Sequence, residues 1–241
     1  MLENKIPTEI IELPSKGLLY SKDNPLSSGK IEMKYMTAKE EDILTNQNYI
    51  QKGTVLDELM KSLIVSKINY GDLIVGDKNA VMVAARILGY GKDYTFSYLG
   101  EQYTVDLTTL ENKPFDLDGI NSETGEFSFT LPFSKTDITF KIIDHSTEAK
   151  ISKELEGLKK IDKNVSRELS TRLKYIIKSV DGNREDSVIR NFVDNYLLAK
   201  DSRSLREHIK QVQPDVNLTF TTDSGEEVAI PINLNFFWPD A

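Results

Sequence analysis

Apolar and polar positions change rhythm several times along the chain. Residues 6–20 read as extended, with Ile6, Ile10, Ile11 and Leu13 apolar, Pro7 and Pro14 resisting helix, and Gly17 marking a turn. Residues 31–35 alternate apolar and polar, the period of a short strand. Thr37 followed by Glu40 makes a capping box and predicts a helix to about Ile50. After Gly53 and Thr54, the positions Val55, Leu56, Leu59, Met60, Leu63 and Ile64 keep a 3.6-residue period. A further helix is predicted with Asp77 as N-cap, running to Leu88 and stopping at Gly89-Tyr90-Gly91.

A β-prone stretch follows. Residues 94–98 and 102–107 flank Leu99-Gly100-Glu101, a hairpin signal. Residues 116–125 form a polar loop, and 127–131 and 137–143 are strand-like, with Pro132 at an edge or turn. From 146 to 210 the period becomes helical, with an apolar stripe that includes Leu169, Leu173, Ile176 and Phe192 and a break at Asp181-Gly182-Asn183. Ser202 or Ser204 is placed to cap a last short helix before Pro214. The tail returns to β at 216–222 and 227–232 and closes on Phe236-Phe237-Trp238-Pro239. The expected fold class is α+β, with helices, short antiparallel hairpins and an inserted mainly helical sub-domain. Its divisions are a mixed region at 1–145, the helical sub-domain at 146–212, and a hairpin with an aromatic tail at 213–241. The helical span is expected to pack beside the β-containing part rather than thread through it.

Charge supports the division. Residues 146–210 hold 15 Lys and Arg against 11 Asp and Glu, while the 241-residue chain as a whole carries a net charge of -8. An acidic chain lacks the basic surface that nucleic acid needs. No cysteine is present, so disulfides and thiolate metal sites are excluded. The N-terminus has no apolar run behind a basic start, and no segment approaches the roughly 20 apolar residues of a membrane span.

Candidate chemistry is sparse. The histidines are His145 and His208. His145 stands between a strand end and a helix and reads as a surface or cap residue rather than a base, because no Gly-x-Ser-x-Gly elbow accompanies it. His208 lies in a charged helix and reads as solvated. Gly71 to Asn79 brushes against a phosphate loop, but Asp77 precedes Lys78 and Asn79 replaces the hydroxyl residue. An acid there repels phosphate. Asp116-Leu117-Asp118-Gly119 places glycine too early for a calcium loop. Residues 95–101 and 219–226 echo each other. They read either as two knuckles of a zinc ribbon without its cysteines or as a chance likeness of short hairpins, and neither reading holds a metal. No catalytic, cofactor-binding or metal-binding residue is expected.

Four blocks have an informative order. They are Leu13-Pro14-Ser15-Lys16-Gly17-Leu18-Leu19-Tyr20, then Tyr35-Met36-Thr37-Ala38-Lys39-Glu40-Glu41-Asp42-Ile43-Leu44, then Val75-Gly76-Asp77-Lys78-Asn79 with Ala84-Ala85-Arg86-Ile87-Leu88-Gly89-Tyr90-Gly91, and the closing Phe236-Phe237-Trp238-Pro239. In this order the chain resembles the baseplate hub subunit and hub assembly protein family of T-even-type contractile-tailed bacteriophages. The resemblance implies a non-enzymatic protein that helps to build the baseplate hub by binding hub or tape-measure partners. The expectations beside it are no cofactor, no nucleic acid, no membrane insertion and a possible oligomer. The implied place is the cytoplasm of the infected host during assembly, or the virion baseplate. A structural hub component and a cell-wall-degrading hub enzyme stand as alternatives. Leu18, Leu19, Tyr20, Phe236, Phe237 and Trp238 are apolar clusters beside turns and are the expected partner-binding residues.

Overall fold

The computed structural model describes residues 6–161 and 166–237. In chain order the elements are β1 (Thr8–Glu12), β2 (Lys30–Lys34), α1 (Ala38–Leu44), α2 (Gln47–Lys52), α3 (Val55–Leu63), α4 (Val75–Tyr90), β3 (Asp93–Tyr98) and β4 (Glu101–Asp106). There follow β5 (Ile120–Asn121), β6 (Glu126–Thr130), β7 (Asp137–Phe140), α5 (His145–Ile161), α6 (Glu168–Ile176), β8 (Ile177–Val180), α7 (Asp186–Asn195), α8 (Ala199–Val212), β9 (Thr219–Thr221) and β10 (Glu227–Ala229). The strands make three two-stranded antiparallel ribbons and one four-stranded sheet in the order β5-β6-β7-β8. The fold is α+β.

Short-range chemistry explains where elements start and stop. The Thr37–Glu40 capping box opens α1. The helix expected to reach Ile50 is interrupted, because the Asn46 side chain accepts from the amides of Asn48 and Tyr49 and starts a new helix, α2. The β3–β4 turn is Leu99-Gly100, with φ of 50° and 87°, and such a two-residue turn matches strand twist.

The expectation that residues 146–210 stand beside the β part needs correction. Residues 177–180 are a strand, β8, which pairs with β7 in the four-stranded sheet. The span is mainly helical but gives one edge to that sheet. Asp181-Gly182, with φ of 47° and 81°, turns the chain immediately after β8. Leu173, Ile177, Ile189, Phe192 and Leu205 then join a single hydrophobic cluster with Leu13, Leu59, Phe127, Val228 and Phe236. Leu169 departs from its expected stripe and is exposed. The last helix starts at Ala199, so Ser202 and Ser204 are interior to it rather than caps.

Glu40 illustrates how a local cap becomes a tertiary anchor. Its side chain is fully buried. It accepts from the Thr37 hydroxyl (2.6 Å) and amide (3.0 Å), from Lys34 (2.7 Å) and from Ser62 (2.8 Å). Burial alone pushes this carboxyl up, but the bonds from Lys34, Thr37 and Ser62 more than reverse it, to about 2. A depressed folded pKa gives stability that is present above the unfolded value and lost as pH falls toward the folded one. The urea midpoint of the protein is therefore expected to fall steeply from about pH 4.5 to about pH 2, and Glu40→Gln to flatten that slope while costing about 1–2 kcal/mol near neutral pH. Parallel curves for the two proteins across that window would assign the acid sensitivity elsewhere.

Candidate functional site

The first turn of α4 ties three distant segments together through four consecutive residues. At Gly76 an added Cβ would collide with the Pro214 carbonyl oxygen, so only glycine lets that segment pass. Asp77, fully buried, accepts from the Ser15 amide (2.9 Å), the Ser15 hydroxyl (2.6 Å) and the Tyr20 hydroxyl (2.6 Å). Lys78 pairs with Asp57 at 2.7 Å. The Asn79 amide donates to Asp215 at 2.9 Å.

Asp77 is not the N-cap that its sequence position suggests. The helix begins at Val75, two residues earlier. This start is possible because the Ile74 amide donates to the Tyr20 hydroxyl (3.1 Å) and the Val75 amide to the Ile143 carbonyl (3.3 Å). Groups from elsewhere in the fold do the work of a cap. Tyr20 thus accepts from one residue of this turn and donates to another. Burial and the Asp77 carboxylate push its phenol far above the ordinary range.

Beside this turn lies a cavity of about 520 Å³, with Leu73, Ile142 and Ile176 among its apolar walls and Lys78, His145 and Arg172 among its polar ones. His145 is the first residue of α5, and the Asp144 carboxylate accepts from the Thr147 amide at 2.7 Å just behind it. The imidazole is half-buried. Its Nδ1 lies 3.2 Å from the Lys78 ammonium, its Nε2 lies 3.4 Å from Asp57, and its ring meets Tyr70 edge-on at 4.8 Å. Burial and then Lys78 hold its pKa below the usual value. For Asp57, burial pushes the carboxyl up, and the bond and charge of Lys78 pull it down to a net lowering.

These contacts have a chemical consequence. An ammonium at Nδ1 requires a lone pair there, so the Nε2–H tautomer fits, with its proton toward Asp57. Nδ1 is then engaged by Lys78, and Nε2 faces Asp57 at 3.4 Å. Arg172 is engaged as well, through two bonds to Glu148 (2.8 and 2.7 Å) and one to Glu168 (3.2 Å). The arrangement offers an apolar recess with internally neutralised polar walls.

The expected partner-binding residues are not all at the surface. Leu18 is exposed, at 47%. Leu19 and Tyr20 are buried, because the turn through Gly17 directs the Tyr20 hydroxyl onto Asp77. Phe236 and Phe237 are fully buried, and Phe236 meets Tyr94 edge-on at 4.7 Å. These four side chains belong to the core. Trp238 lies outside the described residues. His208 also differs from expectation. Its ring stacks on Phe129 at 4.6 Å, and its Nε2 is buried without a hydrogen-bond partner.

The two echoing hairpins lie together. Phe220 of β9 meets Phe96 and Tyr103 at 6.0 and 5.5 Å, and the Tyr98 hydroxyl donates to Glu226 at 2.9 Å. Among the described residues no cluster of three His, Cys, Asp or Glu is placed to hold a metal, and no helix is long and apolar enough to cross a membrane.

Asp57, Lys78 and Ser15 were invisible as site residues in the sequence. Asp57 and Glu58 look like ordinary first-turn acids of a helix. The one available signal was Asp77 itself, an acid inside the apolar run from Leu73 to Ala85. No protein-family model, curated protein or solved structure matches the chain.

Proposed function

We propose that the chain is a non-enzymatic binding protein that acts in assembly of the central hub of a contractile phage baseplate, in the cytoplasm of the infected host. It holds hub or tape-measure partners in a competent geometry. One observation carries the reading. The blocks that resemble the hub family, far apart in sequence, meet around α4. Leu13 to Tyr20 closes on Asp77, and the 3-10 turn Leu234–Phe237 lies beside the same helix.

Affinity capture of the tagged chain from infected cells, followed by mass spectrometry, tests the proposal. Hub or tape-measure proteins should be enriched by about tenfold or more over an untagged control. Purified particles should lack the chain if it is an assembly factor and contain it if it is a permanent hub component. Capture of no tail protein, or peptidoglycan release abolished by one carboxylate substitution, overturns it.

A further inference from the structure

β1 is an open sheet edge whose side chains and backbone suit pairing with a second copy of itself. It belongs to a two-stranded ribbon, and among the described residues no strand lies along its other side. Its register with β2 fixes which groups point where. Pro7 faces Tyr35 and takes its amide at 3.1 Å, and the Leu13 amide donates to Gly29 at 2.8 Å. Bonded and non-bonded pairs alternate in an antiparallel ladder. Glu9 and Ile11 therefore turn their peptide groups toward β2, while Thr8, Ile10 and Glu12 turn theirs outward. Ile10 is 66% exposed, and Thr8, Glu9 and Glu12 are exposed too.

We propose that this edge pairs antiparallel with β1 of a second chain, about a two-fold axis through Ile10. Charge and backbone chemistry select that register. An axis through Glu9 would set Glu9 against its own copy, and like charges directly opposite are destabilising. An axis through Ile11 would set Thr8 against Pro14, which has no N–H to give. An axis through Ile10 sets Ile10 on Ile10, Thr8 on Glu12 and Glu9 on Ile11. No like charges oppose, and the pairing stays within Thr8–Glu12. The outer-face acids are already engaged, Glu32 by the Thr8 hydroxyl (2.7 Å) and Glu12 by Lys30 (3.3 Å). The junction covers an exposed isoleucine and satisfies the outward peptide groups, joining two ribbons into one four-stranded sheet. A five-residue strand pair is small beside the roughly 1,200–2,000 Å² of stable interfaces, so the dimer is reversible.

The absence of native cysteine makes the test direct, since one introduced thiol reports only on its symmetry mate. Facing residues of a bonded pair have Cα atoms about 5.5 Å apart, within disulfide reach. Full-length Ile10→Cys, under oxidation or with a short thiol cross-linker, is expected to dimerise about tenfold faster than Leu99→Cys at the exposed hairpin tip. Thr8→Cys and Glu12→Cys should each cross-link slowly alone and readily when mixed. Ile10→Pro removes only an outward N–H and leaves the β1–β2 ladder whole. It should weaken self-association by about tenfold in sedimentation, at unchanged circular dichroism. If the proline variant fails to fold, Ile10→Lys sets like charges across the axis and should weaken it likewise. The proposal is overturned if the native chain sediments as a single chain up to about 100 µM. It is equally overturned if Ile10→Cys links no faster than Leu99→Cys, or if a folded Ile10 variant associates as the native chain does.

Discussion

Replacing Asp77 with alanine is expected to lower the unfolding free energy by about 4 kcal/mol, measured by urea denaturation near neutral pH. Three donors converge on this carboxylate, the Ser15 amide, the Ser15 hydroxyl and the Tyr20 hydroxyl. Asp77 and Ser15 have no solvent exposure and Tyr20 has 7%, so water does not replace the lost acceptor. Each unsatisfied buried group costs about 1–3 kcal/mol, and relaxation recovers part of the sum. The loss also unfastens the N-terminal block from α4, so proteolysis within residues 13–20 should accelerate. Asp77→Asn separates charge from shape. Burial holds the carboxyl above its usual pKa even against the bonds from Ser15 and Tyr20. With a raised folded pKa, this group's contribution is greatest below the unfolded value and declines as pH rises through the folded one. The penalty of the asparagine variant should therefore narrow from acid toward neutral pH, opposite to the trend at Glu40. An alanine variant within about 1 kcal/mol of the native protein would show that this turn does not hold the block.

The features legible in the sequence were those whose cause is local. The Thr37–Glu40 box opens a helix, and Leu99-Gly100 closes a hairpin, because the residues that decide each outcome are neighbours. Two misreadings had local evidence that periodicity outweighed. Asp181-Gly182 is a hairpin-turn dipeptide and argues for a strand before it, yet the helical spacing of Leu169, Leu173 and Ile176 extended the helix through β8. Asn46 is a strong cap inside what looked like one continuous helix.

The misreading of Asp77 had a different origin. Its helix starts at Val75 because Tyr20 and Ile143 satisfy the leading amides, and no window of sequence around residue 75 contains either partner. The same holds for the polar cluster. His145 stood out as one of two histidines, but its environment is set by Asp57 and Lys78, which lie 88 and 67 positions away in sequence. Chemistry assembled from three helices is a property of packing, and the sequence offers it only as three unremarkable polar residues.

Phe236→Ala is expected to cost about 3–5 kcal/mol and to lower the thermal midpoint by about 10 °C, with partner capture unchanged below that midpoint. The ring is fully buried, meets Tyr94 edge-on at 4.7 Å and Phe237 at 5.2 Å, and sits within the cluster that joins α4 to the two hairpins. Truncation removes a whole aromatic side chain from a core with contacts on every side, so the lost transfer energy adds to that of the cavity left behind. Leu18→Ala is the matched control. That side chain is 47% exposed, and its loss should change stability by about 0.5 kcal/mol or less. The pair of variants distinguishes a core residue from a docking residue, because the first alters the thermal midpoint and a docking residue alters capture. If Phe236→Ala keeps the native midpoint but no longer captures hub proteins, the aromatic pair is an interface anchor and its place in the core is wrong.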